Sequence, residues 1–316
     1  MKIERLFKRF IDDYKLPLQN IEDTEYIVYA LSVINKYDEW WEFINRVKDK
    51  FGEDIEKYFN YYAEVKESFL NTVKNSSEFI NFNQMDISIF KIDRPKNLLK
   101  SLYTKDNDNK YFLSIDLKKA NFQALKYCKL FKGYDTWEDL IGKFTDFPEL
   151  INSKYLRSVL FGQLNPSRHI TVETYLVYNL IEPVKKFFPD SININLIILN
   201  SDELIFEVKD AKMCCEILSM LKYLEDHIKE KFDLDIKADV FQLKRHVLLF
   251  EDTKREIEFF EKWRFMSSDS TLRCIPATYY LIAYKLFYDK ALNVYDYLII
   301  HDGILATISE EAVLIN

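Results

Sequence analysis

In the run Ile197-Ile198-Leu199-Asn200-Ser201-Asp202-Glu203-Leu204-Ile205-Phe206-Glu207-Val208, two apolar stretches flank a polar tip. That pattern predicts a β-hairpin that raises two adjacent carboxylates, Asp202 and Glu203, on its turn. A third acid, Asp116, ends the apolar run Tyr111-Phe112-Leu113-Ser114-Ile115. Carboxylate oxygens suit hard divalent cations such as Mg²⁺. Two strands that each deliver acids at one end would build a two-metal site for phosphoryl transfer. The same residues also fit ordinary exposed turns, and on spacing alone both readings stay open.

For Asp116 and Asp202 to meet, the intervening chain must return the second strand beside the first. The pattern predicts a strand at 111–116, a helix at about 118–131 and an irregular stretch with short helices over 132–168. A helix at about 170–187 follows, with Pro183 near its end or kinking it. Strands 193–199 and 203–208 form the hairpin, a helix spans 211–231, and a strand at 234–243 closes the series. Without the insert this is β-α-β-β-α-β, the split βαβ arrangement of a ferredoxin-like α+β fold. In that topology the end of the first strand lies beside the turn of the central hairpin. The topology by itself implies no function.

The flanks read differently. Residues 1–110 are mostly helical in pattern: Ile3, Leu6, Phe7, Phe10 and Ile11 form one stripe, with Lys2, Arg5, Lys8 and Arg9 opposite. Thr24 is a candidate cap for a helix starting at Glu25, and another helix is expected from about Asp54 to Asn75. Residues 76–110 look less regular. The palm-like unit would span 111–245, with the insert at about 132–168, and 246–316 would form a small mixed α/β region. There, His301-Asp302-Gly303 between two apolar runs reads as a hairpin turn.

Composition narrows the chemistry. The chain has 316 residues, 48% apolar and 16% aromatic, with only 5 Gly. It contains neither a P-loop nor a G-x-G-x-x-G, so any nucleotide must be held by metal and side chains. A net charge of −7 disfavours a broad nucleic-acid footprint but allows a local basic groove. Cys128, Cys214, Cys215 and Cys274 form no C-x-x-C pair and read as reduced thiols. No stretch approaches the ~18 apolar residues of a membrane span, and no signal peptide is visible. A soluble, cytoplasmic protein is expected.

Three segments then resemble the palm domain of nucleic-acid polymerases, in the expected order. Asp116-Leu117-Lys118-Lys119-Ala120-Asn121-Phe122-Gln123-Ala124-Leu125 resembles motif A, a metal-binding Asp at a strand end followed by a helix. Arg157-Ser158-Val159-Leu160-Phe161-Gly162-Gln163-Leu164-Asn165-Pro166 looks like motif B of family A DNA polymerases, with Arg157 at the basic position facing the incoming triphosphate. Asn165 and Pro166 depart from that motif's Tyr-Gly. The same stretch, extended to Val184, also resembles a reverse-transcriptase segment. Ser201-Asp202-Glu203-Leu204-Ile205-Phe206-Glu207-Val208 is similar to motif C of family A, with Ser201 in place of its His. The resemblance covers about residues 111–245, under half the chain.

The resemblance implies a metal-dependent nucleotidyltransferase, a compact template-directed polymerase or reverse-transcriptase-like enzyme. Asp116, Asp202 and Glu203 would be catalytic and hold Mg²⁺ or Mn²⁺. Arg157, Asn121 and Phe161 would bind nucleotide, with Asn121 at the sugar-sensing position and Lys154 and Arg168 assisting. The partners would be a nucleic-acid primer and template and nucleoside triphosphates. A protein partner fits the small, acidic chain, and no membrane is involved. Lys118 and Lys119 read as a solvated helix start. Lys244, Arg245 and His246 would approach a primer backbone, and Trp263, Phe265 and Arg273 offer stacking or core packing. Two rivals stay open: an inactive palm-derived nucleic-acid-binding or assembly protein, and a non-templated nucleotide-adding enzyme or nucleotidyl cyclase.

Overall fold

The computed structural model describes residues 3–301 and 304–315. The N-terminal part is helical: α1 (Ile3–Tyr14), α2 (Thr24–Val33), α3 (Tyr37–Phe51), α4 (Ile55–Lys74) and α5 (Ser77–Gln84). The stripe on α1 is buried as its spacing requires, and Phe7 and Phe10 pack edge-on against Trp40 of α3. Asp23, not Thr24, caps α2 by accepting the Tyr26 amide at 2.7 Å. Helix α5 lies in the segment expected to be irregular. Ser76 starts it by accepting the Phe79 amide at 3.2 Å, and Phe82 anchors it in the core.

The central part runs β1 (Tyr111–Leu117), α6 (Ala120–Tyr127), α7 (Trp137–Ile141), α8 (Pro148–Ile151), α9 (Lys154–Gly162), α10 (Pro166–Tyr178), α11 (Ile181–Phe187), β2 (Ile194–Leu199), β3 (Glu203–Val208), α12 (Ala211–Leu218) and α13 (Leu221–Phe232). The helix expected at 170–187 is thus two helices. Pro183 has no amide to donate to the Asn179 carbonyl one turn earlier, and the chain breaks at 179–180. The helix expected at 211–231 likewise breaks at 219–220.

Beyond these lie β4 (Ile236–Phe250), β5 (Arg255–Arg264), β6 (Asp269–Arg273), α14 (Tyr280–Phe287), β7 (Leu298–His301), β8 (Ile304–Thr307) and β9 (Ala312–Ile315). Strand β4 passes through position 245 without interruption, so the boundary expected there falls inside a strand. Lys244, Arg245 and His246 read as a strand end, yet each meets an acid on β5. Lys244 lies 4.0 Å from Glu261, Arg245 donates to Glu258 at 2.5 Å, and His246 Nε2 is 3.3 Å from Glu261. These acids pair with the side chains that were expected to approach a primer. Strands β7 and β8 pair antiparallel. Asp302 and Gly303, the expected turn between them, lie outside the described residues.

The fold is α+β, with an antiparallel sheet in the order β2-β3-β1-β4-β5-β6 and β9 pairing with the far half of β4. Side chains alternate between its faces. Leu113, Ile115, Leu117, Leu204, Phe206, Val208, Ile236, Ala238 and Val240 join the helices in the main core. The other face is divided along the strands. Phe112, Ile198, Ile205, Phe241 and Leu243 form an apolar half, covered by Leu102 and Tyr103. Ser114, Asp116, Glu203, Lys237 and Asp239 form a polar half at the other end. Among the described residues, no helix is long and apolar enough to cross a membrane.

Candidate active site

The polar half of the second sheet face brings the three predicted acids together. Asp116, next to last in β1, stands opposite Glu203 of β3 on one side and Lys237 of β4 on the other. The Leu117 amide donates to the Asp202 carbonyl at 2.8 Å, and the Asn200 amide donates to the Glu203 carbonyl at 2.9 Å, closing the hairpin tip. Register alone therefore places Asp202 and Glu203 beside Asp116. Glu203 is held by the Ser114 hydroxyl, which donates to it at 2.6 Å. Asp202 is exposed and Asp116 half-buried.

Burial pushes the Asp116 carboxyl up to about 6, and the charges of Asp202 and then Glu203 push the same way. Lys154 and Lys237 oppose them. Lys154 opens α9, and its ammonium is held below the ordinary lysine range, first by burial and then by Lys15 and Arg157. Arg157, one turn along, is lowered by burial, with Glu138 opposing. Two lysines and an arginine thus crowd together beside a cluster of carboxylates. Like charges in that arrangement repel, and an anion with several oxygens would relieve them.

Lys15 reaches this place because α1 is tied to the start of α9. Ser153 caps α9, accepting the Leu156 amide at 2.8 Å. Its hydroxyl donates to Asp13 of α1, which also accepts the Tyr155 amide at 3.3 Å. Burial pushes Asp13 up to about 6, against the pull of Arg9, Ser153 and Tyr155. Lys15 directly follows the last residue of α1, in the left-handed region at φ 50°.

The other expected residues divide. Asn121 is half-buried in the first turn of α6, its Oδ1 3.2 Å from the Phe122 amide. Phe161 does not line a nucleotide site. It is 1% exposed and packs against Trp137 and Phe131, buried together with Leu156 and Leu160 of α9. Arg168 is likewise taken up elsewhere, donating to the Phe82 carbonyl at 2.7 Å and to that of Met85. Lys119 pairs with Glu138, and Lys118 is exposed. Phe265 packs against Tyr111.

Lys15, Ser114, Glu138, Lys237 and Asp239 were missed. Asp239 sits opposite Ser114, with Arg264 Nε at 3.4 Å and Lys262 Nζ at 3.9 Å. A signal for it existed: a lone acid inside the apolar run Ala238-Val240-Phe241. For Lys15 there was none, since it belongs to an element more than a hundred residues upstream.

Among the described residues, no group of three or more His, Cys, Asp and Glu is placed to hold a metal ion. The donor set of Asp116 and Asp202 nevertheless has the right chemistry: hard oxygens, mutual repulsion that a cation would cancel, and one exposed partner. No family model, curated protein or solved structure matches the chain.

Proposed function

We propose that this protein is a palm-type, metal-dependent nucleotidyltransferase that adds nucleotides to a nucleic-acid primer. The observation that carries the reading is the half-buried Asp116 flanked by Asp202 and Glu203 and faced by Lys237 and Lys154, with Lys15 and Arg157 beside Lys154. The strand order β2-β3-β1-β4, with helices between β1 and β2 and between β3 and β4, supports the ferredoxin-like palm, as it is the order of a split βαβ unit.

In this reading each group has a task. Asp116 and Asp202 would hold a divalent cation, Mg²⁺ or Mn²⁺, which when bound acidifies a hydroxyl and neutralises phosphate charge. Lys154, Lys15 and Arg157 bind the triphosphate. A primer hydroxyl, losing its proton to solvent, attacks the α-phosphorus, the bond to the bridging oxygen breaks, and pyrophosphate leaves with its new charge facing these cations. Ser114 keeps Glu203 turned along the sheet. Asn121 offers both donor and acceptor to a sugar hydroxyl.

Incorporation of labelled nucleotide in Mg²⁺, with and without template, tests the proposal. Template-dependent incorporation that Asp116→Asn abolishes is expected. Incorporation without template would point to a nucleotide-adding enzyme. None on any primer would sink the catalytic reading and favour a palm-derived binding protein.

A further inference from the structure

A second site opens on the far side of Lys15. A cavity of about 310 Å³ lies between β6 and α14, lined by Lys15, Arg273, Tyr280, Tyr284 and Tyr288 together with residues 270–275. Its volume is at the small end of ligand pockets. The three tyrosines recur every fourth residue: Tyr280 and Tyr284 share one face of α14, and Tyr288 follows as the residue that ends it. Tyr280 packs against the main core, and the buried positions of the helix are Leu281, Ile282, Ala283 and Lys285. Tyr288 is 42% exposed. Ring centroids lie 5.9 Å apart for Tyr280–Tyr284 and 4.7 Å for Tyr284–Tyr288.

We propose that this groove binds single-stranded nucleic acid, with the tyrosine face of α14 stacking bases and Lys15 and Arg273 meeting phosphates. A row of aromatic rings beside cations is the chemistry that holds single strands, because every base offers a π-face. In a duplex those faces are already stacked on one another. Strand β6 ends the sheet order and its residues line the groove; an edge strand leaves amides unpaired, and backbone amides donate to phosphate oxygens. At the Tyr288 end Lys290 Nζ lies 5.4 Å from the Tyr284 ring centroid and 6.0 Å from that of Tyr288. Lys15 also lies beside Lys154, which connects the groove to the carboxylates. The proposal rests on the nucleotidyltransferase reading only in taking nucleic acid as the ligand.

The test is fluorescence anisotropy of the full chain with a labelled oligothymidylate of about twelve nucleotides, within the range of single-strand site sizes, in EDTA so that no metal site contributes. The double variant Tyr284→Ala/Tyr288→Ala should bind about 10- to 100-fold more weakly, while Tyr284→Phe, which keeps the ring, should stay within about 2-fold of wild type. Lys15→Ala/Arg273→Ala should flatten the dependence of log K on log salt by about 1.4. A double tyrosine variant that binds like wild type, a wild type that binds no single strand, or a duplex that binds as tightly would each overturn the proposal. Asp116→Asn should lose incorporation yet bind the oligonucleotide unchanged. If the wild type incorporates nothing but binding still depends on the tyrosines, the groove stands and the catalytic reading falls.

Discussion

At Asp116, burial and the carboxylates of Asp202 and Glu203 both favour the protonated form, and the pKa rises to about 6. In the unfolded chain it returns to ~3.9. Between roughly pH 4 and pH 6 the folded state therefore binds more protons, so this residue's contribution to stability falls as pH rises through that window. The cost is fully present above it. Solvent screening of a half-exposed group reduces it to about 1 kcal/mol. Asp116→Asn should thus raise Tm by about 2 °C at pH 8 and leave it unchanged at pH 4, read by thermal melts at both values. The same variant should lose incorporation by a factor on the order of 10²–10³, in line with other groups that stabilise developing charge. Mg²⁺ provides a readout independent of turnover. It should raise the wild-type Tm more at pH 8 than at pH 5, because protons compete for the same oxygens, and should do nothing to Asp116→Asn. Equal shifts in both proteins would place the cation elsewhere.

At the scale of elements, the hairpin and the strand ending at Asp116 were legible because their signals are local: apolar runs, a polar tip and period-two alternation. Once β1 and β3 pair, the meeting of Asp116 with Asp202 and Glu203 follows from register. What was not legible depends on distant partners. Lys244, Arg245 and His246 look like the end of a strand until β5 supplies Glu258 and Glu261. Phe161 looked like a ligand contact because a short motif does not say which side of its helix is buried. The cations of α9 depend on how α1 grips that helix, through Ser153 and Asp13. Ser153→Ala removes the cap and one of the two bonds by which Asp13 holds α9. It should cost about 1 kcal/mol and raise KM for nucleoside triphosphate several-fold with a smaller change in kcat. An unchanged KM beside a lowered Tm would show that the tie serves stability alone.

Across the whole molecule, the N-terminal helices meet the C-terminal segment at a buried ion pair. Lys285 of α14 lies 2.9 Å from Asp296, and the side chains are 8% and 0% exposed. Tyr29 of α2 donates to Asp296 at 2.7 Å and accepts from Lys285 at 2.8 Å. Removing one partner leaves a buried charge uncompensated, so Asp296→Asn should cost about 3–5 kcal/mol, measured by denaturant unfolding. A loss below about 1 kcal/mol would mean that water reaches the pair. The tie also sets an order of events during synthesis. Tyr29 leaves the ribosome 267 residues before its partner Asp296, about 13–50 s at ordinary elongation rates. Through that interval α2 has no lysine or aspartate to receive its tyrosine, and the face meant for the C-terminal segment waits uncovered. The nascent chain therefore offers this face of α2 to chaperones and proteases until Asp296 has been made, and a pause late in translation would prolong that exposure for a part of the protein made long before.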